Sequence, residues 1–577
     1  MAIPRPEYPR PQFQRKDWIN LNGQWTYTFD FGKSGMEEGR ELFKSKGFMG
    51  KITVPFCPES VLSGVGYKDF IEAMWYHRKI SIPAGWTGKR VIISFGGVDY
   101  ESELFVDGKS VGTHFGGTVS FSHDITRFVQ PGKKHDLVVR VLDERRTDRQ
   151  PSGKQAHRFK SRGCIYTRTT GIWSTVWLEA VGMEGLERVQ IAPDLDGGSF
   201  ICTPAFYQEK QGIVFSAVVK AGGKVVAKAS VSAKSGVPLV LKLGKNRAWS
   251  MEDPFLYDIE FQVADKAGKV LDRVSSYAGL RKVHIEGNQV YLNNKKIYQR
   301  LVLDQGFYPD GIWTAPTDKA LKRDIELSMA AGFNGARLHQ KVFEERFHYW
   351  ADRMGYITWG ESASWGCDYN SVEAARNFIS EWEEIIIRDR NHPSIITWTP
   401  WNESGHYMNP KQHRRLHINT RDICKDLDPT RPVNDTSGYI HHKTDLWTVH
   451  CYTQDPEEMR KQLEPKADTG VFRCHPDSEA PYEGQPYMVA EFGGIKWIAP
   501  GDRAFADNSW GYGNAPKTEE ELYERLHGQV RAMRSLEHIS GFCYTQLTDV
   551  EQEQNGIYKY DRSLKFDMKR VKKAFQQ

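Results

Sequence analysis

Two glutamates frame the chemistry open to this chain. Glu403 lies near the end of Ile395-Ile396-Thr397-Trp398-Thr399-Pro400-Trp401-Asn402-Glu403-Ser404, and Glu491 lies in Tyr487-Met488-Val489-Ala490-Glu491-Phe492-Gly493-Gly494, 88 positions later. Each stretch is apolar and β-branched or aromatic until it halts at a polar group, the pattern of a buried strand that hands a carboxyl to its C-terminal end. Barrels of parallel strands keep their chemistry at that end. One glutamate alone says little in a chain of 577 residues, where most acids are solvated. Two, presented by strands of one design, are the minimum equipment for cleaving a glycosidic bond.

The elements that must position them follow from the same patterning. From residue 284 onward, strand candidates at 296–303, 333–338, 356–359, 395–398, 432–435, 446–449, 487–490 and 541–544 alternate with helical runs such as 317–331, 343–354, 372–390 and 518–536. Thr317-Asp318 and Asn370-Ser371 supply helix-start caps, and Ala331-Gly332 a stop. Eight strand–helix units over 284–577 have the size of a (β/α)8 TIM barrel. Residues 1–182 read as short alternating strands with a hairpin signal at Val106-Asp107-Gly108-Lys109, a jelly-roll β-sandwich. Residues 183–283 carry a second strand set suited to an immunoglobulin-like β-sandwich with no catalytic cluster, a spacer.

Composition narrows the partners. Lys and Arg total 78 against 73 Asp and Glu, and the densest basic run, Arg145-Arg146-Thr147-Asp148-Arg149, is interrupted by an acid, so neither nucleic acid nor an anionic membrane is expected. Seventeen Trp and 25 Tyr offer faces on which sugar rings stack. Eight scattered Cys have no C-x-x-C pair and are expected to be reduced and mostly buried. The N-terminus lacks the apolar core of a signal peptide, so the chain as given is expected to be cytoplasmic, or periplasmic or secreted if a signal was removed.

Gly97-Val98-Asp99-Tyr100, Phe105-Val106-Asp107-Gly108, Gly116-Gly117 and Tyr166-Thr167-Arg168-Thr169-Thr170-Gly171-Ile172-Trp173 resemble the N-terminal sugar-binding domain of glycoside hydrolase family 2, which holds β-galactosidases, β-glucuronidases and β-mannosidases. Trp401-Asn402-Glu403-Ser404 resembles that family's acid/base motif, and Ala490-Glu491-Phe492-Gly493 its nucleophile motif. The resemblance implies a retaining, exo-acting β-glycosidase with Asn402 on the sugar 2-hydroxyl, Asp304 on an outer hydroxyl, His450 and Tyr452 in the pocket floor, and Tyr544 as a stacking platform. Glu403 is expected to rest protonated beside Glu491, and Glu491 to be held ionised by Arg337 and Tyr452.

Further residues at predicted strand ends are expected to bind the substrate: Arg337, His339, Glu361 and Gln546, with Trp401 beside the acid/base. Two departures from the family pattern bear on the sugar. Leu301-Val302-Leu303-Asp304-Gln305-Gly306 replaces the usual glycine- and histidine-containing stretch, and no Asn-x-Lys triplet, the family's uronate reader, follows Glu491. Lys517, Arg503 or Lys565 would have to meet a carboxylate, so a neutral, galactose-like sugar is expected, with glucuronide, arabinoside and galactofuranoside as alternatives. The segment 497–516 reads as a pocket rim. The partner is a small carbohydrate or oligosaccharide, and no cofactor is required; a structural divalent cation and a homo-oligomer stay open. A catalytically inactive carbohydrate-binding protein is the contrasting reading. A metal hydrolase is disfavoured because His441-His442, His339 and His450 do not form a closed ligand set.

Overall fold

The computed structural model describes residues 2–405, 408–498, 505 and 508–576. In the N-terminal sandwich, a four-stranded sheet (Trp18–Asn20, Val176–Val181, Arg90–Phe95, Phe121–Asp124) faces a six-stranded one (Gly50–Val54, Gly23–Phe29, Ala73–Ser81, Lys134–Leu142, Glu101–Val106, Lys109–Phe115). Period-2 alternation builds it. Along Lys134–Leu142, Leu137, Val139 and Val141 enter the core between the sheets, while Val138 turns to an outer cluster with Trp75 and Phe105.

A second sandwich pairs a three-stranded sheet (Leu186–Asp194, Ser199–Phe206, Leu239–Lys242) with a four-stranded one (Lys224–Ser232, Val214–Ala221, Tyr257–Ala264, Val270–Ala278) around its own core. The chain's start crosses the expected boundary: Phe13 joins this second core and Gln14 bridges Ser275, because an aromatic so near the terminus is buried where apolar partners are available.

The barrel strands are Gln299–Asp304, Gly335–Leu338, Ile357–Glu361, Ile395–Thr399, Trp447–Cys451, Tyr487–Gly493 and Ile539–Thr545, all paired in parallel. The expected strand at 432–435 is reduced to a bridge, Trp398 to Val433, followed by the short pair Trp401–Asn402 with Thr436–Ser437. Pro432 explains the shortening, since it has no N–H for a ladder. Helices Asp318–Ala330, Glu345–Met354, Val372–Asp389, Pro410–Leu427, Pro456–Leu463, Glu519–Arg534 and Met568–Gln576 surround the strands, and Thr317, Ser371 and Thr518 cap their helices through side-chain oxygens. A hairpin, Val283–Glu286 with Gln289–Leu292, plugs the bottom: Val283, Val290 and Leu292 share a cluster with the inward-facing Leu301, Leu303, Ile357 and Trp359. The open end is therefore the C-terminal one.

Against that end docks the N-terminal sandwich. Tyr166 and Trp173 pack with Phe307, Trp313 and Val550, the Thr167 N–H donates to Glu551, and Gln552 Nε2 donates to the carbonyls of Gly163 and Ile165. Among the described residues no disulfide forms, six of the eight cysteines are buried, and no helix is long and apolar enough to cross a membrane.

Candidate active site

Arg337, on the second barrel strand, is fully buried at the centre of the mouth. Its Nε donates to Glu361 Oε1 (2.6 Å), its Nη1 to the Ala490 carbonyl (2.7 Å) and Glu491 Oε1 (3.1 Å), and its Nη2 to Asn402 Oδ1 (3.0 Å) and Glu361 Oε2 (3.2 Å). One rigid fork thus ties the ends of the strands carrying Glu361, Asn402 and Glu491 into one geometry.

Glu491 is the better-held acid, with a side chain 4% exposed. Besides Arg337, Tyr452 Oη donates to its Oε2 at 2.5 Å, and His450 Nδ1 lies 3.5 Å from the same oxygen. Burial alone would raise its pKa; the fields of His450 and Arg337 and the Tyr452 hydrogen bond outweigh that and hold the carboxyl below its ordinary range. The group is ready as an anion.

Glu403 follows the short strand Trp401–Asn402 and takes a left-handed backbone (φ 48°), its N–H donating to the Ser437 carbonyl at 3.0 Å. That turn swings its side chain across to His450 Nδ1, 2.8 Å from Oε1. Oxygens of Glu403 and Glu491 and a ring nitrogen of His450 all lie within 4.8 Å of one another. A histidine and two carboxylates are also a set that could hold a cation, but these atoms are already engaged with each other, with Arg337 and with Tyr452.

Among the other expected residues, His339 lies against Arg337 and Glu361 and is kept neutral by burial and by the charges of Lys154, Arg337 and His450. Asn402 accepts from Arg337, yet its Nδ2 is buried with no partner among the described residues, an open donor at the mouth. Gln546 is buried beneath, bonded to Gln305 and Asn555.

Three expectations fail, all through the face a residue occupies. Asp304 accepts from the Gly306 N–H and lies on the helix side; burial and Asp324 push its carboxyl up to about 7. Leu301 and Leu303 face inward, so Asp304, one residue on, faces out, and Gln305 takes the place by Gln546. Tyr544 packs outward on Phe492 and Phe575 (ring centroids 5.5 and 5.2 Å), while its neighbour Thr545 meets Tyr452. Trp401 stacks outward on Phe378 at 3.8 Å, with Nε1 on Thr420 Oγ1. None of the three can touch a sugar in the mouth.

Of the cations considered for a carboxylate, Lys517 is exposed at a helix start, Lys565 is buried against Asp549 at 2.6 Å, and Arg503 lies outside the described residues. Of the rim segment 497–516, positions 499–504, 506 and 507 also lie outside them. Its described part brings Tyr512, not anticipated, flat against Tyr452 (3.4 Å, 4°). The N-terminal sandwich contributes residues that were missed as well. Gly153, His157 and Ile165 with Trp365, Tyr369 and Tyr439 border a cavity of about 480 Å³ that reaches Glu403. The Pro151-Ser152-Gly153 turn was the available signal.

Residues 66–152 match a model described as the sugar binding domain of glycosyl hydrolases family 2, residues 186–281 one described as glycosyl hydrolases family 2, and residues 283–577 that family's TIM barrel domain. A Paenibacillus borealis protein named beta-glucuronidase is 23% identical over 95% of this chain and 94% of its own. A Thermoanaerobacter pseudethanolicus beta-galactosidase is 24% identical over 76% of this chain and 58% of its own. The solved b-glucuronidase from Ruminococcus gnavus in complex with D-glucuronic acid superposes over 100% of both chains with a TM-score of 0.81 at 20% identity, a likeness of fold.

Proposed function

Since the chain belongs to glycosyl hydrolases family 2, we propose that it is a retaining, exo-acting β-glycosidase with Glu491 as nucleophile and Glu403 as acid/base. The observation that supports this most is the convergence of the two carboxyls, with oxygens within 4.8 Å. Retaining enzymes hold theirs about 5–5.5 Å apart, whereas inverting ones need about 6.5–9.5 Å to admit a water.

Anionic Glu491 attacks the anomeric carbon while Glu403 gives its proton to the departing oxygen, leaving a glycosyl ester on Glu491 and a free aglycone. Glu403, now a carboxylate, takes a proton from water; the hydroxide adds to the anomeric carbon, the ester bond breaks, and the β configuration returns. Asn402 Nδ2, buried and without a partner among the described residues, donates to the 2-hydroxyl in this reading. Both steps balance with two carboxyls and water, so no cofactor is called for. The cavity beside Glu403 suits the aglycone.

Two sugars stand as readings. The missing Asn-x-Lys triplet favours a neutral galactoside, and the relatives named as glucuronidases favour a uronide. A panel of aryl β-galactoside, glucuronide, arabinoside and galactofuranoside, followed by proton NMR during turnover, tests the reading. One or more members should be cleaved, with the β-anomer of the sugar formed first. An α-anomer first, or no cleavage of any member, overturns it.

A further inference from the structure

Lys154 belongs to the N-terminal sandwich, yet its ammonium lies at the barrel mouth. The residue is 4% exposed, and among the described residues its ammonium makes no hydrogen bond or ion pair. Its Nζ lies 5.6 Å from the Trp365 ring and 5.7 Å from the Tyr166 ring. Trp365 in turn donates from Nε1 to the Asn402 carbonyl, next to Glu403. We infer that Lys154 is the specificity-determining cation of this site, carried in from a second domain to bind the carboxylate of a β-linked uronic acid.

The lysine is held there by construction. Gly153 takes φ 58°, donates to the carbonyls of Ala363 and Trp365 (both 3.1 Å), and has no room for a side chain, because a Cβ would run into the Gln340 carbonyl oxygen. The Lys154 carbonyl accepts from the Tyr166 N–H (2.8 Å), and Gln155 is pinned by Asp99 and by the Thr169 N–H, 2.7 Å each. Tyr166 Oη donates to Glu553, whose other oxygen accepts from Asn555 at 3.0 Å.

An ammonium has three donors and no acceptor, and a buried one without a partner is costly. Burial would strip its proton, but the fields of Glu553, Cys164, Glu491 and Glu403 more than offset this and keep it charged. Three other buried cations are spent: Arg337 on two glutamates, Asn402 and a backbone carbonyl, Lys341 on the carbonyls of Gly306 and Trp313, Lys565 on Asp549. Arg145, which borders the cavity beside Glu403, gives Nη2 to the Gln155 carbonyl and is a delocalised guanidinium, not a point charge. An acceptor brought by the substrate completes Lys154, and a carboxylate forms the stronger, charge-assisted bond. The aromatic walls favour the cation and exclude water.

This inference rests on the proposed glycosidase site, and its test separates the two. kcat/KM on 4-nitrophenyl β-D-glucuronide and β-D-galactoside is measured for the wild type, Lys154→Met and Lys154→Arg, and binding of D-glucuronic acid to Glu491→Gln with and without Lys154→Met is followed by calorimetry. Lys154→Met is expected to lose about 30-fold or more on the glucuronide, chiefly in KM, and to change galactoside turnover about threefold or less, with Lys154→Arg between. D-glucuronic acid binding should weaken by a similar factor. Equal losses on both sugars, no loss, or a wild type that cleaves only neutral glycosides would sink the inference and leave the hydrolase reading standing. Lys154-dependent binding of D-glucuronic acid with no glycoside cleaved would do the reverse.

Discussion

Glu491 and Glu403 are chemically the same group in two very different settings. Glu491 is the fifth residue of a seven-residue strand, is 4% exposed, and is gripped by Arg337 and Tyr452. Glu403 follows a two-residue strand on a left-handed turn, is 20% exposed, and among the described residues has one side-chain partner, His450. A nucleophile must stay ionised and immobile at one point, so donors on a rigid strand serve it. An acid/base must trade its proton with a leaving group and then with water, so one polar neighbour and a path to solvent serve it. The difference in burial and partners, not the residue type, divides the labour.

Removing each carboxyl should break the comparison in different ways. Glu491→Gly is expected to lower kcat/KM by about 10⁴-fold or more whatever the leaving group. Azide would then fill the space on the α face and yield the α-glycosyl azide. Glu403→Ala should cost about 10²–10⁴-fold on a glycoside with a poor leaving group and far less on a dinitrophenyl glycoside, with azide yielding the β product. Product stereochemistry by NMR decides. An α-azide from the Glu403 variant would exchange the two assignments.

That asymmetry was only partly legible in the sequence. Apolar runs ending in Glu403 and Glu491 predict their strands to within a few residues, because buried parallel strands read as continuous hydrophobic stretches. Facing is another matter. Side chains alternate with period two, so a strand end misjudged by one residue puts Asp304 in the pocket in place of Gln305, and Tyr544 in place of its neighbour Thr545. The motif around Trp401 points it to the sugar, whereas the side chain packs in the core between strand and helix. Lys154 and Tyr512 reach the mouth from loops that only the packing of the sandwich and the rim brings together, and no local pattern encodes such a meeting.

The grip on Glu491 is tested next by Tyr452→Phe. This deletes a 2.5 Å donor to the carboxylate and leaves a ring that can still stack on Tyr512. A hydrogen bond to a charged group is worth about 1.5–3 kcal/mol, so kcat/KM should fall by about 10- to 150-fold. The sign of the pH effect follows from the same bond. In the wild type it helps to hold the Glu491 pKa below the ordinary range; its loss lets the pKa rise, and the acid limb of the kcat/KM profile should move to higher pH. An unmoved limb would mean that Arg337 and His450 alone set the charge.

A smaller effect probes the looser side. Ser437 Oγ lies 3.0 Å from His450 Nε2, and His450 Nδ1 meets Glu403 at 2.8 Å. If Ser437 donates to Nε2, an Nδ1 proton of His450 faces Glu403. Ser437→Ala removes one hydrogen bond of about 0.5–1.5 kcal/mol, so kcat should drop by about 2- to 12-fold with KM nearly unchanged. The loss should be greatest on poor leaving groups, where the proton held by Glu403 matters most, and should vanish on a dinitrophenyl glycoside. Equal losses across leaving groups would place the histidine in the service of Glu491, 3.5 Å away, and Glu403 would then work without a dedicated partner.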